Sequence, residues 1–348
     1  MAYNQLTPSD IEVLANMVET NRLSTGESVL DLHARDQSHH HPQRPEVVIW
    51  PVNPSEVIAI VTYANDRRIP VTGWGSGSSM EGNPIPVHKG IVLDFSRMNR
   101  ILSIREENFQ ADVEPGVIYQ DLNTQLRHTG LFFPPDPGAR ATIGGMIANN
   151  AGGTRTVHYG STKDYVLKLS TVLANGEIMD MGSRVKKTSS AYDLIRLFVG
   201  SEGTLGIVVS ATIRLVGLPS EFSAAISNFS SVEAASRAVF EIVRAGLDPT
   251  ALELLDSECV KLINQEKGIG LNISPTLFME FTRPTLNQLS ETIDLAKEIC
   301  EDAGCETFQS GLGREDRNRI FEARHELGEM IVRNHPGDRI RIMDMAVP

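Results

Sequence analysis

At 348 residues with 41% hydrophobic content, the chain is long enough for two domains with sizeable cores. A net charge of −12 without any basic run argues against a nucleic-acid partner, and no stretch approaches the roughly 20 apolar residues of a transmembrane segment. Cys259, Cys300 and Cys305 match no metal spacing and read as free thiols of a reducing compartment, which with the unremarkable start of the chain predicts a cytoplasmic location.

Residues 8 to 35 read as helix and loop, with Ser9 as N-cap ahead of Ile11, Leu14 and Val18. His39, His40 and His41 follow in a polar loop, where consecutive histidines cannot all converge on one ion. Val47 to Trp50 reads as a buried strand. Asn53, Pro54 and Glu56 then supply the N-cap, first-turn proline and capping-box partner of a helix whose apolar face is Val57, Ile60, Val61 and Ala64. A strand from Ile69 to Thr72 runs into a glycine loop, Gly73, Trp74, Gly75, Ser76, Gly77, Ser78 and Ser79. At the carboxyl end of a strand such a loop can turn successive N–H groups inward as an anion nest, each charge-assisted bond contributing roughly 1.5–3 kcal/mol. A plain glycine turn fits the same residues. The spacing is not a Rossmann fingerprint and lacks the Gly-Lys-Ser/Thr of a P-loop, which disfavours a nicotinamide dehydrogenase.

Ile91 to Asp94 reads as a strand, followed by a hairpin in which Leu102 and Ile104 face Phe109, Ala111 and Val113 across Glu106 to Asn108. A helix from Val117 to Thr129, stopped by Gly130, leads into Pro134 to Thr154, a stretch too rich in glycine and proline for one regular element. The apolar Ile143, Met146 and Ile147 inside it favour a buried ligand cradle over a surface loop. Leu167 to Leu173 and Ile178 to Met181 form a hairpin with a type I′ turn at Asn175-Gly176. A helix from Tyr192 to Phe198 precedes a third glycine loop, Gly200 to Gly206, which opens the strand Ile207 to Leu215. One extended ligand touched by all three loops accounts for them together.

Around Gly217 to Ser220 the glycine loops stop and amphipathic helices alternate with short strands, which marks a domain boundary. Ser230 and Glu233 read as a capping box for a helix presenting Ala234, Ala238, Ile242 and Val243, stopped by Gly246. Strands are expected at 251–255, 276–282, 306–310 and 339–343, and helices at 257–267, 286–303 and 317–334.

With those loops in place, the sequence resembles the flavin-dependent family related to vanillyl-alcohol oxidase, in its branch of D-lactate dehydrogenases and glycolate oxidase D-subunits. The matching segments are Pro70 to Ser79, Ile91 to Arg100, Val113-Glu-Pro-Gly116, Leu131 to Gly138, Ala141 to Met146 and Leu197 to Ile207. The resemblance implies an α+β chain: a helical segment (1–44), a two-subdomain PCMH-type FAD-binding domain (45–219) and an incomplete α+β cap domain (220–348). It also implies FAD with its diphosphate on Gly73 to Ser79. The flavin and ribityl groups would then lie against Pro135, Asp136, Pro137, Gly138, Thr142, Ile143, Gly144, Gly145, Asn149, Gly152, Gly153, Thr154, Glu202, Gly203 and Ile207.

Some members of the family attach flavin through a histidine in the first glycine loop; this loop has none, so non-covalent FAD is expected. The implied reaction oxidises a D-2-hydroxy acid, with the carboxylate held by Arg324 in Phe321-Glu-Ala-Arg-His325 and electrons passed to a quinone, a cytochrome or an iron–sulfur subunit. Family members continue past the segment resembling Met343 to Pro348 into a histidine-rich metal motif, so no metal is expected in this chain. The sequence therefore also fits a truncated chain or an FAD-binding subunit that needs a partner for catalysis.

Overall fold

A computed structural model describes residues 3–312, 314–341 and 343. Within them the chain divides into two compact units, the residues up to Gly152 with Ser161–Gly217, and Gly153–Gly160 with the described residues from Leu218 to Ile340.

The first unit holds two sheets. One has the order Leu23–Ser24, Val47–Ile49, Ile91–Asp94 and Val71–Trp74, its last three strands parallel. The expected strand–helix–strand unit is present, but Ile91–Asp94 inserts between its two strands. The connecting helix, Pro54–Arg67, has Asn53 as N-cap, accepting from the Glu56 N–H. Glu56 does not complete a capping box. Its carboxylate accepts from the buried Arg22 guanidinium (2.5 and 2.8 Å) and from the Val52 N–H, because an ion pair outcompetes a single backbone donor. The left-handed Arg68 closes the helix and Ile69 still donates to the Ala64 carbonyl, which delays the strand to Val71. Val57, Ile60, Val61 and Ala64 pack with Leu14, Val47, Ile49, Ile91 and Leu93 in the core.

The first helix, Pro8–Ala15, is capped by Thr7 and not by Ser9, since Thr7 and Asp10 form the reciprocal capping box. Hydrogen bonds from Thr7 and Tyr63, against the cost of burial, bring the Asp10 carboxyl down to about 2. A carboxyl lowered on folding stabilises the native state above its ordinary range and loses that contribution as pH falls from about 4 toward 2. Asp10→Asn is expected to remove on the order of 1–2 kcal/mol at pH 7 and to flatten the loss of stability below pH 4, which urea unfolding across that range would read. An undiminished acid-induced loss in the variant would assign it to other carboxylates.

The second sheet is antiparallel, in the order Ile101–Arg105, Gln110–Val113, Ile207–Arg214, Val166–Val172 and Ile178–Gly182. Ile104 does oppose Ala111, but Phe109 takes a left-handed turn conformation (φ 55°) before the strand begins, and Leu102 is half exposed. The turn at Asn175-Gly176 is not type I′. Only Gly176 has positive φ, and the bonds Gly176 N–H to Leu173 O and Leu173 N–H to Glu177 O fit a type I turn closed by a glycine bulge. The helices expected over 117–129 and 192–198 are shorter, Tyr119–Leu126 and Leu194–Phe198; Ile118 is drawn into a bridge with Thr142, and Asp193 caps the second.

The second unit is an antiparallel sheet, Ala251–Leu255, Thr276–Arg283, Glu221–Phe229 and Cys305–Leu312, packed by helices Val232–Arg244 and Leu286–Asp302. Helix Val232–Arg244 is capped by Ser231, whose hydroxyl reaches the Ala234 N–H; this puts Glu233 at the second helical position, where it cannot complete the box expected from Ser230. Val243 is exposed. The expected helix 317–334 is split into Arg314–His325 and Leu327–Asn334 at Glu326, whose carboxylate pairs with Lys267 at 2.7 Å. Residues 339, 340, 341 and 343 form no strand, and the rest of the expected strand 339–343 lies outside the described residues. The segment Gly153–Gly160 belongs to this unit: His158 Nδ1 lies 2.8 Å from Asp248 Oδ1.

Candidate cofactor site in the first unit

Three glycine-bearing segments of the first unit line one cavity of about 570 Å³. The first follows strand Val71–Trp74. The second carries helix Ile143–Asn149, and the third precedes strand Ile207–Arg214. Of the residues expected at the cofactor, Gly73, Trp74, Gly75, Ser76, Gly77, Ser78, Ser79, Pro137, Thr142, Gly144, Gly145, Asn149, Gly152, Glu202, Gly203 and Ile207 line this cavity. Pro135, Asp136, Gly138 and Ile143 do not; Pro135 and Ile143 are buried. Gly153 and Thr154 belong to the second unit.

The segments differ in what they offer. In the first loop the Ser79 carbonyl is turned outward to accept from the Gln37 N–H. Among the described residues, the N–H groups of Ser76, Gly77, Ser78 and Ser79 donate to no protein acceptor. That is the donor surface expected of an anion nest. At the start of the second helix the donors are already used: Ile143 N–H bonds Val117 O, Gly144 N–H bonds Pro115 O, and Gly145 N–H bonds the capping hydroxyl of Thr142. The first turn of this segment therefore supplies shape and packing, and no free backbone donors. The third loop is anchored on that helix through Gly200 N–H to Ile147 O and Glu202 N–H to Ala148 O, with Glu202 held in a left-handed conformation (φ 53°).

Asn83 also lines the cavity, with no motif to announce it. Its amide and that of Asn149 exchange two hydrogen bonds (3.1 and 3.2 Å), and both side chains meet the Ser79 hydroxyl, which ties the first segment to the second. In the sequence it is only a turn residue between Gly82 and Pro84. Among the cavity-lining residues there is no lysine, arginine, histidine or cysteine, so an anion there would be held by backbone and hydroxyl groups.

Arg324 lies in the second unit on helix Arg314–His325, half exposed, with its Nε donating to Glu253 Oε2 at 2.6 Å. Burial pushes the Glu253 carboxyl above its ordinary range, with the Arg324 charge opposing that shift. The guanidinium is thus neither a freely solvated surface group nor fully available to a ligand. Among the described residues no cluster of three or more histidine, cysteine, aspartate or glutamate side chains could hold a metal ion, and no helix is long and apolar enough to cross a membrane.

Residues 45–182 match the family profile described as an FAD binding domain, and residues 218–348 match that of FAD linked oxidases, C-terminal domain. The chain is similar to a probable mitochondrial D-lactate dehydrogenase of Danio rerio, with 36% identity over 94% of this chain and 66% of that one. It is also similar to the glycolate oxidase subunit GlcD of Bacillus subtilis, with 37% identity over 88% of this chain and 66% of that one. This chain therefore spans about two-thirds of the length of these curated relatives. Among solved structures, an alkyldihydroxyacetonephosphate synthase superposes with a TM-score of 0.79 at 20% identity, covering 94% of this chain and 68% of that one, which is a likeness of fold. With an FAD-binding profile ahead of an oxidase C-terminal profile, and with that fold beneath them, the chain belongs to the family of FAD-linked oxidases.

Proposed function

We propose that the chain binds FAD non-covalently in the cavity of the first unit and serves the oxidation of a D-2-hydroxy acid of the lactate or glycolate type. The observation that carries this reading is the convergence of three glycine-bearing segments on one cavity whose first loop presents unpaired backbone N–H groups. The cavity volume lies within the range of cofactor pockets, and the donors of Ser76 to Ser79 suit a diphosphate. Bound there, FAD supplies the hydride acceptor. Gly144, Gly145 and Glu202 would border the remainder of the cofactor, while Asn83 and Asn149 hold the first two segments in register. With no histidine or cysteine in the lining, the cavity offers no such side chain for a covalent flavin bond.

Arg324 would take the substrate carboxylate through the edge of its guanidinium left by Glu253, which fixes the orientation of the plane. Electrons would pass to a quinone, a cytochrome or an iron–sulfur subunit. A cytoplasmic location is part of the same proposal and rests on composition, although the Danio rerio relative is named mitochondrial.

The test is a visible spectrum of the purified chain, followed by anaerobic D-lactate or glycolate. A yellow protein bleached by the acid is expected. A yellow protein that stays oxidised favours an FAD-binding chain that needs further sequence or a partner, and a colourless chain that takes up no FAD overturns the proposal. In a protein that oxidises the acid, Arg324→Ala is expected to raise KM for it by roughly tenfold or more, the loss of a charge-assisted bond, with FAD content unchanged. An unchanged KM would remove Arg324 from the substrate site.

A further inference from the structure

Behind the first glycine loop lies a buried polar cluster that no motif announces. His33, at the end of helix Glu27–Leu32, is 1% exposed. Its Nδ1 is 2.8 Å from the Val29 carbonyl and its Nε2 is 2.9 Å from Asp94 Oδ2. Asp94 ends the strand Ile91–Asp94 and stands opposite Trp74 in the parallel ladder. The same carboxylate accepts from Trp50 Nε1 at 2.8 Å and, through its other oxygen, from the Ser96 N–H at 2.8 Å. Burial raises the Asp94 carboxyl, but hydrogen bonds from His33 and Ser96 outweigh it and hold the group below its ordinary range.

A carbonyl oxygen can only accept, and a carboxylate that already accepts from Trp50 and Ser96 is an acceptor as well. Both ring nitrogens of His33 therefore face acceptors, and a neutral imidazole would leave one of them without a hydrogen to share. The ring also packs on Trp74, with centroids 4.8 Å apart. Trp74 lines the cavity, and the loop closes so tightly over it that a Cβ on Gly77 would lie 2.5 Å from its ring. Gly77 itself has φ +66°, a conformation that glycine adopts without strain.

We propose that His33 carries hydrogen on both ring nitrogens and, locked between Val29 and Asp94, is the positioning residue that holds Trp74 and the first glycine loop in the shape that receives the cofactor. This rests on the reading of the cavity as the FAD site. Trp50 shares the carboxylate but does not line the cavity, so it separates a role in positioning from a role in folding.

The experiment combines 15N NMR of histidine-labelled protein with FAD titrations of the wild type, Asp94→Asn and Trp50→Phe. The wild type is expected to show a hydrogen on each ring nitrogen of His33. Asp94→Asn should reduce them to one and weaken FAD binding by about tenfold or more, the scale of one lost charged hydrogen bond. Trp50→Phe should lower the melting temperature and leave FAD affinity within about twofold, a change well below that scale.

A single protonated nitrogen in the wild type overturns the inference without the need for any variant. So do equal losses of affinity in the two variants, which would make the cluster merely structural, and so does an Asp94→Asn protein that binds FAD as the wild type does. A wild-type chain that takes up no FAD overturns the reading of the cavity together with the inference built on it.

Discussion

Gly75→Val is expected to abolish FAD uptake, with the dissociation constant rising by about a hundredfold or more, an effect of roughly 3 kcal/mol. Gly75 lies where the first and second segments meet. A Cβ there would stand 2.4 Å from Thr142 Oγ1, and the branched valine adds bulk beyond it. Thr142 cannot yield cheaply, because the same hydroxyl caps helix Ile143–Asn149 through the Gly145 N–H at 3.2 Å. The substitution therefore either drives the first loop out of the cavity or uncaps the helix beside it. Cys259→Ser is the matched control. Cys259 lies in the second unit with its thiol pushed up to about 11, chiefly by burial, and its replacement should leave FAD affinity unchanged. Equal affinities in the two variants would remove the first loop from the site.

Gly116→Ala is expected to cost at least about 3 kcal/mol of stability, the upper range for forcing volume into packed structure. The cause is space and not backbone conformation, since Gly116 is absent from the positive-φ residues. A Cβ would sit 2.0 Å from the Phe95 carbonyl oxygen and 2.7 Å from that of Met98, and the Gly116 N–H donates to the Met98 carbonyl at 2.7 Å. These are backbone atoms with no rotamer to change. The midpoint of urea unfolding should fall clearly below that of the wild type, and an unchanged midpoint would contradict the close crossing of these two turns.

Much of the candidate cavity's lining was legible in the sequence because glycine density has a local cause. Where backbone must pass close to backbone or to a ligand, a side chain is excluded, and Gly73 to Ser79 and Gly200 to Gly206 carry that signature without tertiary information. The same reasoning found the strand and helix around Pro54, whose N-cap chemistry is local, and the bounds of strand Ala251–Leu255 and helix Ser257–Lys267. It failed where a distant partner decided the outcome. Glu56 left its capping box for Arg22, and Ile118 left the start of its expected helix for a bridge with Thr142. Nothing local in the sequence shows that the turn Pro115 to Val117 takes the Ile143 and Gly144 donors at the start of helix Ile143–Asn149. Asn83 and His33 were illegible for the same reason. Each acts through residues far from it in the chain, Asn149 in one case and Asp94 in the other.

The segment Gly153–Gly160 also bears on how this molecule can be taken apart. It is flanked on both sides by residues of the first unit but belongs to the second, so the chain passes from one unit to the other and back before the later passage at Gly217 to Leu218. No single cut yields two self-sufficient pieces. A protein ending at Gly217 would carry His158 without Asp248, and one starting at Leu218 would carry Asp248 without His158. Expressed separately, each half should expose backbone that the intact chain keeps covered, and protease sensitivity between Gly153 and Gly160 should mark the first half.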